Sequence, residues 1–114
     1  MIRQPREHNE KHLKFIRQLP CVVCQNDIQT EAAHVRFSCL EVGKRKVGIG
    51  EKPDDKWTVP LCVDHHRMQH AWGEKNFWEV TGKNPIEIAQ QLWKHSGNHE
   101  AGLRIAQRQY QIAD

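Results

Sequence analysis

Four residues in this 114-residue chain have the types and spacing of a metal site: Cys21-Val22-Val23-Cys24 and Cys62-Val63-Asp64-His65. Zinc takes four soft or borderline ligands in a tetrahedron, and two pairs at i and i+3, each on a tight turn, supply them from distant segments. The spacing suits a treble-clef-like knuckle holding one structural Zn²⁺. Taken as ordinary core residues, cysteine and histidine are common, but they rarely fall at paired ligand spacing. Cys39 lies between the pairs and reads as a small apolar packing residue.

A second group of reactive side chains lies between and just after these pairs. His34, Arg36, Lys52, Asp54 and Asp55 precede Cys62; His66 and His70 follow it. Two imidazoles four residues apart on a helix point the same way and can share one ion. The spacing alone decides nothing, because His8 and His12 have it too, as do His95 and His99. Those four read as surface residues. His66 and His70 are singled out by the zinc pair beside them, which anchors their helix against the strand carrying His34. Hydrolysis of a phosphodiester needs a divalent ion to neutralise the phosphate and a general base to activate water. His34 suits the base, since imidazole titrates near neutrality, and Asp55 is the candidate to fix its ring. Arg36 and Lys52 are placed to grip phosphates, and the run Lys44-Arg45-Lys46 reads as a further contact to a DNA backbone.

These side chains need elements to position them. A helix is expected over residues 6–18, stopped before Pro20, and a strand over 28–37 with Ala33, Val35 and Phe37 on one face. The stretch 38–55, with Gly43, Gly48, Gly50 and Pro53, reads as a long functional loop. A second strand is expected over 57–61 and a helix over 65–72, capped by Asp64 and ended by Gly73. Helices over 74–80, closed by Gly82, and 85–95, opened by Asn84-Pro85, follow. The last helix is expected over 99–112. Trp57, Trp72, Phe77, Trp78 and Trp93 read as core rather than base-stacking platforms.

The bulk properties agree with a stapled domain. A single domain is expected at this length, and the 38% hydrophobic content with mean hydropathy −0.79 leaves a modest core. The net charge of +3 does not by itself require a polyanion. No apolar run has the length of a membrane span and no signal-peptide pattern opens the chain, so a cytoplasmic protein without membrane contact is expected. Four cysteines in a reducing compartment read as ligands or free thiols.

Cys21–Cys24, Ala33-His34-Val35-Arg36, Gly48-x-Gly50-x-Lys52-x-x-Asp55, Val59-Pro60-Leu61-Cys62-x-x-His65-His66 and Gln69-His70 resemble the phage-associated HNH nucleases. The nearest groups are the DUF968-type prophage proteins and the phage recombination-enhancement nuclease. The resemblance runs over about residues 21–85. It implies an α+β, ββα-metal core with flanking N- and C-terminal helices, and DNA cleavage dependent on Mg²⁺ or Mn²⁺. It also implies a bacterial host or prophage setting in recombination or replication, with phage recombination proteins as partners. His34 matches the family's general base, Asp55 stands near its middle asparagine, and His66 matches its last metal-binding histidine. One position departs: many such enzymes place an Asp or His before the base, where this chain has Ala33.

Two other classes of protein would leave different residues in this chain. A zinc-stapled nucleic-acid-binding module without chemistry would be marked by loss of the His34 and His66 pair, and both are present. A zinc peptide hydrolase would want a glutamate beside its helical histidines, and His66-Arg67-Met68-Gln69-His70 has none.

Overall fold

The computed structural model describes residues 8–36 and 54–110. Among them, helix α1 (Glu10–Arg17) leads to strand β1 (Thr30–His34), and β2 (Thr58–Cys62) runs straight into α2 (Val63–Trp72). Helices α3 (Glu74–Thr81), α4 (Pro85–Lys94) and α5 (His99–Tyr110) follow. The result is a small α+β arrangement around a two-stranded sheet.

The strands pair antiparallel, with Thr30 opposite Cys62, Ala32 opposite Pro60 and His34 opposite Thr58. This register sets one zinc-pair residue at one end of the hairpin and His34 at the other. Pro60 has no N–H to give, and an edge position tolerates that. Its carbonyl accepts the Val22 N–H at 3.1 Å, which ties the first Cys pair to the sheet. Strand β1 is shorter than the expected 28–37, although Val35 N–H still bonds to the Trp57 carbonyl at 2.8 Å, and β2 keeps its expected length but starts one residue later.

Caps explain where the helices begin. Asn9 accepts the His12 N–H at 3.0 Å, so α1 starts at Glu10 and not at residue 6. The α2 start is capped by the Cys62 thiol, which accepts the His65 N–H at 3.5 Å, and not by Asp64. Gly82 closes α3 in the left-handed region, with φ 73°. The Asn84 side chain receives the N–H groups of Ile86 and Glu87, and Pro85 occupies the first turn of α4.

Helices α1, α2 and α4 pack on the hairpin, α3 on α2, and α5 on α4. A continuous core joins Ile16, Leu19, Val22, Val35, Val59, Leu61, Phe77, Ile88, Leu92 and Ala106. Two expectations are corrected. Trp72 is 46% exposed; Gln69 takes the inward place on α2 and accepts the Trp78 indole N–H at 2.9 Å. His12 is wholly buried, sharing a 2.7 Å hydrogen bond between Nδ1 and the Ser96 hydroxyl and standing edge-on to Trp93. Among the described residues, no helix is long and apolar enough to cross a membrane.

Candidate functional site

Two centres are built on the hairpin–helix unit. At the first, Cys21, Cys24, Cys62 and His65 bring their ligand atoms within 4.8 Å of one another. Cys21 Sγ lies 3.7 Å from His65 Nδ1, and Cys24 Sγ lies 3.8 Å from Cys62 Sγ. A zinc tetrahedron with Zn–S bonds of ~2.3 Å has sulfur–sulfur edges of ~3.8 Å, so the donor set fits that ion. The Cys62 Sγ–His65 Nδ1 edge is tighter, at 3.1 Å.

The knuckle is shaped by its backbone. Gln25 N–H donates to the Cys21 carbonyl at 2.8 Å, and Cys21 N–H donates to the Asn26 carbonyl at 3.0 Å. The turn places Gln25 in the left-handed region, φ 65°, an uncommon conformation for a residue with a side chain. That side chain is held on both sides, donating to the Cys21 carbonyl at 3.1 Å and to the Ala106 carbonyl of α5 at 2.9 Å. Crowding has an electrostatic consequence. Desolvation foremost, and then the neighbouring thiols, push the Cys24 thiol up to about 11, against a lowering hydrogen bond from the Asn26 backbone. Residue 24 is exposed as a whole; the effect concerns its Sγ, which lies among the other ligand atoms. A divalent cation reverses that balance, because coordination stabilises the thiolate directly.

The second centre is a cleft of about 500 Å³ at the other end of the hairpin. Its walls are His34 at the end of β1 and Arg36 just beyond it, His66 and His70 on α2, and His8, Glu10, Leu13 and Arg17 from the N-terminal segment, with Ala32 between. Asp55 lies behind this wall, wholly removed from solvent. Its Oδ1 accepts His34 Nε2–H at 2.9 Å; its Oδ2 accepts the Asn9 N–H at 2.7 Å and His8 Nδ1–H at 2.8 Å. A buried carboxylate is costly unless such partners surround it. Thr58 adds an anchor by donating its hydroxyl to the Asp55 carbonyl at 2.8 Å.

His66 and His70, one turn apart, have ring centroids separated by 4.9 Å. His66 Nδ1–H donates to Glu31 Oε1 at 2.8 Å, which directs Nε2 away from that carboxylate. Adjacent in sequence, His65 and His66 therefore belong to different centres. The Arg36 backbone N–H is fixed by both carboxylate oxygens of Glu74 at 2.9 Å.

The sequence-predicted residues divide plainly. Cys21, Cys24, Cys62 and His65 meet at the knuckle; His34, Arg36, Asp55, His66 and His70 meet at the cleft. Lys44, Arg45, Lys46, Lys52 and Cys39 lie outside the described residues. Sequence reasoning missed His8, Arg17 and Glu31. Asn9 is a good N-cap, which places His8 outside the helix and off the face of His12, but its pairing with Asp55 has no local signal.

The fold and the two centres define a small α+β protein whose Cys₃His cluster can hold a metal ion such as zinc. The chain belongs to the DUF968 family, described as a protein of unknown function, whose model matches residues 2–97. The match spans both centres and stops before α5. No curated protein and no solved structure matches the chain.

Proposed function

We propose that this protein is a metal-dependent DNA endonuclease of the HNH type, hydrolysing phosphodiester bonds. The observation that carries the reading is the pairing of His34 with the buried Asp55 carboxylate, 2.9 Å apart, in the wall of a cleft otherwise rich in imidazole and guanidinium groups. A hydrolytic base needs a fixed ring and tautomer, and a buried carboxylate supplies both. With Nε2–H committed to Asp55, the lone pair of His34 is on Nδ1. His34 then takes a proton from the attacking water, and Asp55 balances the imidazolium that forms.

Polyanionic DNA suits a cleft whose walls carry Arg17, Arg36 and four histidines against Glu10, itself 3.1 Å from Arg17. Lys44, Arg45, Lys46 and Lys52 extend this grip in the proposal. His66 and His70 hold the catalytic divalent ion, which when bound neutralises charge on the phosphate. Their nitrogen donors suit Mn²⁺ better than Mg²⁺, which prefers oxygen. The Cys₃His cluster holds a structural Zn²⁺. A setting in phage or prophage recombination or replication, and partners among its proteins, rest on the resemblance of the Gly–Lys–Asp and Cys–His–His blocks.

Zinc-loaded protein incubated with supercoiled and single-stranded DNA in Mn²⁺, Mg²⁺ or EDTA tests the reading. Cutting is expected with Mn²⁺, less with Mg²⁺, and none with EDTA. His34→Ala should lower turnover about 100-fold or more while keeping DNA affinity and melting temperature. DNA binding without any cutting would instead identify a non-catalytic zinc-stapled module; absence of both overturns the reading.

A further inference from the structure

The least expected feature of the cleft is that one buried carboxylate holds two imidazoles. Asp55 offers Oδ1 to His34 and Oδ2 to His8, at 2.9 and 2.8 Å, and both rings line the same cleft. Carboxylate-bound rings are fixed in orientation and tautomer, so the second ring is as well placed as the first. We propose that His8 is the second proton-transfer residue of the site, donating to the leaving oxygen while His34 receives the proton of water. The inference rests on the endonuclease reading and adds the acid that the reading lacks.

The step balances. Water oxygen forms the new P–O bond with its own electron pair, and its proton goes to His34. The bond from phosphorus to the leaving oxygen breaks and its pair stays on that oxygen; His8 enters the step as the imidazolium, with Nδ1–H held by Asp55, and its Nε2 proton neutralises the leaving oxygen. One water is consumed and no oxidant or reductant is needed. His8 is 57% exposed, so solvent exchange can return its proton after each turnover. Besides Asp55, it faces Glu10, with Nε2 3.7 Å from Oε2, and the cleft wall adds Arg17, Arg36, His66 and His70.

The test compares parent, His8→Ala and His8→Gln, each zinc-loaded, on plasmid DNA in Mn²⁺ across pH. Glutamine can still donate to Asp55 but has no proton to transfer. Both variants should lose about 100-fold in kcat with KM nearly unchanged, and the alkaline fall of the kcat/KM profile should disappear. Parental kcat in His8→Gln would reduce His8 to holding Asp55 and overturn the proposal. So would a raised KM with unchanged kcat, or a loss that leaves both limbs of the profile. A parent that cuts no DNA overturns the function on which the inference rests. Active His8 variants beside an inactive His34→Ala overturn this inference alone.

Discussion

His65 and His66 are neighbours with different duties, and one residue step explains why. A step turns an α-helix by about 100°, so two successive rings cannot readily serve one ion. His65 Nδ1 lies 3.1 Å from Cys62 Sγ, whereas His66 Nδ1 lies 2.8 Å from Glu31 Oε1. His65→Ala should therefore lose zinc and unfold the domain, because metal affinity at such a cluster is coupled to folding. His66→Ala should retain one zinc and melt within about 0.5 kcal/mol of the parent, as substitutions outside the core usually do. Zinc stoichiometry and melting of both variants check this; the reverse pattern would place His66 on the zinc. The Cys–Cys and Cys–His pairs were legible because ligand spacing is a local property. His8 was not, because its partner Asp55 lies beyond the 38–53 stretch and only the fold brings them together.

Elements were legible where local chemistry sets their ends, as with Gly82 closing α3 and Asn84-Pro85 opening α4. They were misjudged where an unusual group acts, as with the Cys62 thiol at the start of α2. How α5 docks was not legible at all, since it depends on a glycine used for closeness. A Cβ at Gly102 would meet Leu19 Cδ2 at 2.7 Å and Phe15 Cζ at 2.9 Å. Leu19 and Phe15 are buried, so neither side chain can swing into solvent. Ordinarily Gly→Ala inside a helix stabilises by about 0.5–1 kcal/mol. Here crowding of the α1–α5 crossing should win, since overpacking a core costs about 1–3 kcal/mol. Gly102→Ala should thus lower the melting temperature by roughly 4–8 °C per kcal/mol in a domain of this size. A rise would mean that the helices separate cheaply and that the close crossing contributes little.

For the molecule as a whole, His12 couples stability to pH. It sits at the meeting of α1, the Ser96 turn after α4 and the face of Trp93, fully buried. Burial pulls it from 6.5 down to about 4, opposed only partly by the field of Asp55. Its pKa is lowered in the folded state, so between those values the unfolded chain binds more protons. Stability from this residue is complete above pH 6.5 and is lost as pH falls towards 4. Full loss amounts to about 3 kcal/mol, of which about 2 kcal/mol falls between pH 7 and 5. His12→Phe keeps an aromatic ring against Trp93 and removes Nε2, which is buried without a hydrogen-bond partner among the described residues. An orphaned buried polar atom costs about 1–3 kcal/mol, so the variant should melt at or above the parent at pH 7. Ser96 is exposed and can bond to water instead. Acid also competes for the ligands of a bound zinc, but equally in both proteins, so the difference between their melting curves isolates His12. The parent should lose stability faster from pH 7 to 5, with the gap widening by about 2 kcal/mol. Parallel curves would show that His12 takes up its proton without penalty, and that acid sensitivity arises elsewhere in the molecule.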